Sequence, residues 1–293
     1  MWPFRRKSKA DKDDADTGRS RLFGREYTAG VPYALPSDLS EMNRLDFQHF
    51  ILRQAFKGNY AAPIRNPYRI LDVGTGTGRW AKEVAALFPA ASVTGLDVKE
   101  QAAESQGADL NPANYAFVSG NILEGLPLPD ASFDFVHQRL LFFAIPSDRW
   151  QFVLNELVRV TRPGGWVEVV EGRYGYEPMG PAAQHISDVM LATMLQRGID
   201  PLASAHLDGF LRNAGLQQVQ TRTIKLPVGD WGGRLGQLAL TDVMTFSQAA
   251  KPLLLAQGMS EGDCDALIAE MRNECETMRY TWPFYIVYGQ RPG

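Results

Sequence analysis

Cysteine is scarce, long apolar runs are missing and neither sign of charge dominates, and each shortage removes a class of explanation. The chain has 2 cysteines in 293 residues, Cys264 and Cys275, both in a stretch that reads as helix. Eleven helical residues set them roughly 16 Å apart, beyond the reach of a disulfide. A reduced, cytosolic setting is the expectation that follows. No run approaches the roughly 18 apolar residues of a membrane span, and the basic N-terminus lacks the apolar stretch of a signal peptide. A formal net charge of −3 gives no electrostatic footprint for nucleic acid. The 4 histidines are scattered, with neither H-E-x-x-H nor C-x-x-C, so no metal site is expected.

What is present is an ordinary globular composition, 45% hydrophobic and 22% charged. Residues 1–22 switch from basic to acidic and read as a disordered tail. Residues 23–66 form an N-terminal segment containing an amphipathic helix, with Asp38 and Glu41 placed for a capping box and Met42, Leu45, Leu52 and Phe56 on one face. From 67 to 293 short β-branched runs alternate with helices, which predicts an α/β sheet wound on both faces. Helical insertions at about 178–198 and 233–280 are expected to cap its ligand end.

The segment Ile70–Trp80, ILDVGTGTGRW, places Gly74, Gly76 and Gly78 directly after a strand that carries Asp72. The dinucleotide fingerprint is G-x-G-x-x-G, with the pyrophosphate at a helix N-terminus. Here the spacing is G-x-G-x-G, and Asp72 would repel a phosphate but suit a cationic group. S-adenosylmethionine carries an ammonium and a sulfonium and no phosphate. An acid about 20 residues on is the expected ribose ligand. Asp97 fills that place, followed by Val98. After the next strand Asn121 can bond an adenine edge and Ile122 can pack on its face.

With these three parts the sequence resembles the class I S-adenosylmethionine-dependent methyltransferases. ILDVGTGTG is similar to their first motif, GLDV to their ribose-binding acid, and ELVRVTRPGGWVEVVE to their post-core helix, turn and fifth strand. YALPSDLSEMNRLDFQHF, VHQRLLF and LPVGDWGGRLG resemble the LaeA-like branch of secondary-metabolism regulators and natural-product methyltransferases. The resemblance implies a Rossmann-like seven-stranded sheet, mostly parallel with an antiparallel last strand, and S-adenosylmethionine as cofactor. It also implies that Tyr33 and Arg44 fold over that cofactor, with Arg44 reaching its carboxylate.

Open parallel sheets bind ligands beyond the carboxyl ends of their strands. That places Gln138 at the cofactor, His137 and Glu171 as candidate catalytic groups, and Arg139 and Trp231 as candidate acceptor contacts. Methyl transfer needs alignment and water exclusion, and a base only when the acceptor must lose a proton. The leading expectation is an enzyme that methylates O, N or C of a small molecule, with neither nucleic acid nor membrane as partner. Two other readings stay open: a cofactor-binding regulator or scaffold acting through protein partners, and an S-adenosylmethionine enzyme of non-methyl chemistry.

Overall fold

The computed structural model describes residues 19–22, 25–28, 39–100 and 112–293. Tyr33, Asp38 and Met1–Gly18 lie outside them. Arg19–Leu22, expected as the end of a disordered tail, is instead a strand (β1) paired antiparallel with Arg25–Thr28 (β2).

Seven further strands form one sheet: β3 (Arg69–Val73), β4 (Ser92–Asp97), β5 (Tyr115–Ser119), β6 (Phe133–Arg139), β7 (Thr161–Gly172), β8 (Gln217–Pro227) and β9 (Thr281–Gln290). Their order is β5-β4-β3-β6-β7-β9-β8. All neighbours from β5 to β7 are parallel, and β9 alone runs against both of its neighbours. The order reverses between β3 and β6, the crevice where such sheets bind ligands.

Side-chain alternation sorts the two faces. Leu71, Val73, Val136, Val167 and Val169 pack beneath α3 (Trp150–Val160) and α5 (Leu207–Asn213). Ile70, Val93 and Phe135 pack beneath α2 (Arg79–Leu87) with Trp80 and Val84. The remaining helices are α1 (Leu39–Phe56), α4 (Pro181–Gln196), α6 (Gly233–Ala256) and α7 (Glu261–Thr277). They share a third core with β9, built on Leu52, Ile186, Val243, Met271 and Phe284. The long insertion is thus two helices, broken at Gly258, whose φ of 92° suits glycine.

Both cysteines are buried and unpaired on α7, as their spacing required, and burial pushes both thiols up. No helix among the described residues is long and apolar enough to cross a membrane.

Candidate active site

Three glycines sit between β3 and α2 because the chain turns there in the left-handed region three times, with φ of 69° at Gly74, 54° at Gly76 and 74° at Gly78. A side chain in that region is strained. Space adds to the requirement at two of them: a Cβ on Gly74 would lie 2.5 Å from Leu141, and one on Gly78 2.9 Å from the Tyr115 hydroxyl. The α-carbon of Gly76 faces open space.

The loop is tied to the acid that ends β4. Asp97 accepts the N–H of Gly76 at 2.8 Å and of Val98 at 2.7 Å. Burial raises its pKa and those two donors pull it back. Val98 beside it is 37% exposed, an apolar surface at a strand end. Asn121 closes an Asx turn onto the Leu123 N–H, and Ile122 is buried against the core. An open glycine turn, an acid at its edge and an apolar side chain beside that acid fit an adenosyl group.

Asp72 is 4% exposed. Its carboxylate accepts the Thr75 hydroxyl at 2.7 Å and lies 2.9 Å from Nδ1 of His137. Asp72, His137 and Glu168 are register partners on β3, β6 and β7, so they form one row on the α2 face. His137 stacks on Trp80 with centroids 3.8 Å apart, and burial lowers its pKa. Glu168 accepts the N–H groups of Ala61 and Ala62, each at 2.7 Å, and burial pushes it up to about 7.

A cavity of about 870 Å³, its open mouth included, lies beyond β6 and β7. Its walls come from α1, α4, α6 and α7, from Trp282 of β9, from Leu140, Phe142 and Phe143 after β6, and from residues 173–176. The segment after β6 links the two regions: Leu140, Phe142 and Phe143 line the cavity, and Leu141 among them lies against Gly74.

Several sequence expectations change here. The carboxyl of Asp242 on α6 accepts from Arg44 at 3.1 Å and Gln48 at 3.0 Å, and both donors line the cavity. Arg139 donates to Nδ1 of His49 at 2.9 Å, and His49 Nε2 lies 3.1 Å from Glu83. Arg139 therefore braces β6 against α1 and does not line the cavity. Trp231, 38% exposed, bonds the Val228 carbonyl at 3.1 Å to close its own turn, and it is not a lining residue either.

The two catalytic candidates are likewise absent from the lining. His137 is held in its buried row. Glu171, 0% exposed, accepts the Leu141 N–H at 2.9 Å with Gln138 at 3.5 Å, and burial pushes it up to about 8. It positions the segment between the glycine turn and the cavity. Asp242 is the residue sequence reading missed: only the fold brings it to Arg44.

With the geometry in place, comparison with known proteins is decisive. The methyltransferase domain family matches residues 70–165. Methyltransferase str3 of Strobilurus tenacellus is 30% identical over 230 residues, 75% of this chain and 80% of that protein. The chain belongs to the S-adenosylmethionine-dependent methyltransferases. N-methyltransferase gliN of Aspergillus fumigatus is 26% identical over 276 residues, 89% of this chain and 96% of that protein. In structure, phosphoethanolamine N-methyltransferase 2 of Haemonchus contortus, solved with phosphomonomethylethanolamine and S-adenosylhomocysteine, superposes with a TM-score of 0.51 at 16% identity. That match covers 87% of this methyltransferase and 60% of the other chain, and supports the fold. The cofactor supplies an electrophilic methyl on sulfur when bound.

Proposed function

We propose that this methyltransferase transfers a methyl group to a nitrogen, oxygen or carbon of a small, natural-product-like molecule held in the capped cavity. The observation that carries the reading is the position of that cavity, lined by Leu140, Phe142 and Phe143 of the segment whose Leu141 lies against Gly74. In it Gly74, Gly76, Gly78, Asp97, Val98, Asn121 and Ile122 hold the cofactor, and Asp72 and Gln138 support it from beneath. The name of gliN makes nitrogen the first atom to test.

The test is incubation with methyl-labelled S-adenosylmethionine and three acceptor pools: a small-molecule extract, total protein and total nucleic acid. Label in the first pool alone is expected; label in protein or nucleic acid instead would overturn the reading.

A further inference from the structure

The cavity's polar groups restrict what can enter it. Two charged side chains line it among the described residues, and each has a partner: Arg44 with Asp242 at 3.1 Å, and Arg173 at the rim with Glu177. A charged ligand would have to lose its hydration without gaining an unopposed counter-charge, which is costly.

Three lining hydroxyls have their protons committed as well. Tyr174 donates to the Ser187 carbonyl, Ser187 to the Met179 sulfur at 3.7 Å, and Ser247 to the Val243 carbonyl at 2.9 Å. Gln48 likewise has its Nε2 committed to Asp242, and its amide oxygen remains an acceptor. The rest of the wall is apolar, with the rings of Phe142, Phe143, Tyr176, Phe246 and Trp282 set among aliphatic side chains and methionines.

We infer that the acceptor is an uncharged aromatic molecule that offers an N–H or O–H to Gln48. This rests on the proposed small-molecule activity and names its substrate class. A ring fits beside aromatic side chains, and the Gln48 amide oxygen selects a donor on it.

The experiment uses three probes with one ring: naphthol, naphthoate and naphthylmethylammonium, titrated at neutral pH into the full chain saturated with S-adenosylhomocysteine. Saturation is checked first by the thermal shift that ligand produces. Naphthol is expected to bind at least tenfold tighter than either ion, and Gln48→Met to remove at least fivefold of that affinity while leaving the S-adenosylhomocysteine shift unchanged. Equal or tighter binding of an ion, binding of none of the three, or an unchanged naphthol affinity in Gln48→Met would overturn the inference. Absence of the S-adenosylhomocysteine shift would instead remove the cofactor reading beneath it.

Discussion

Asp97 accepts the amide N–H of Gly76 at 2.8 Å, so the acid that ends β4 and the middle glycine of the β3–α2 turn form one unit. A ribose bound there adds its hydroxyls to a carboxylate already fixed in place, with little ordering left to lose. Asp97→Ala is expected to weaken S-adenosylhomocysteine binding at least tenfold, about 1.4 kcal/mol, with Asp97→Asn between it and the native chain. Titration calorimetry of the three proteins measures this, and equal affinities would remove Asp97 from the site.

Glycine is needed at 78 for two reasons and at 209 for none. Gly78→Ala puts a side chain at φ 74° and within 2.9 Å of the Tyr115 hydroxyl, and is expected to cost about 1–3 kcal/mol and at least tenfold in cofactor affinity. Gly209 lies within α5 with nothing inside 4 Å of an added Cβ. Gly209→Ala should raise stability by about 0.5–1 kcal/mol. Thermal melts of both variants test the pair.

Asp242→Ala should be among the most damaging single changes in the cap. It strips two buried donors, Arg44 and Gln48, of a shared acceptor, and loss of one partner of a buried pair costs about 3–5 kcal/mol. Trp231→Ala, at an exposed turn, should cost about 1 kcal/mol or less and leave acceptor binding unchanged. Denaturant unfolding separates the two.

Glu171 gives the stability a pH dependence of known sign. Its folded pKa, about 8, lies above the ordinary carboxyl value of 4.5 because of burial. The folded state therefore holds a proton that the unfolded state releases, and this contribution is complete below about pH 4.5 and lost as pH rises toward 8. Glu171→Gln keeps an acceptor for the Leu141 N–H without titrating. Its melting temperature relative to the native chain should rise by about 2–6 °C between pH 5 and pH 8. A constant difference would contradict the assignment.

The sheet was legible because its strands are short β-branched runs set between amphipathic helices, and the glycine turn because three left-handed residues in five positions need three glycines. The acceptor side was not. Arg44 and Gln48 read equally well as a solvated face, since their partner Asp242 lies 198 and 194 residues away in sequence. His137 and Glu171 lie near the carboxyl ends of β6 and β7, where catalytic groups are found, yet each turns into the protein, where β3 supplies Asp72 and the segment after β6 supplies the Leu141 amide. Arg19–Leu22 was missed because a four-residue strand is too short to show alternation.

The most direct test of the central claim is calorimetric titration of the full chain with S-adenosylmethionine, S-adenosylhomocysteine and NAD in parallel. Binding of the first two with none of the third is the predicted result. Binding of NAD alone would contradict the assignment of the glycine turn and everything built on it.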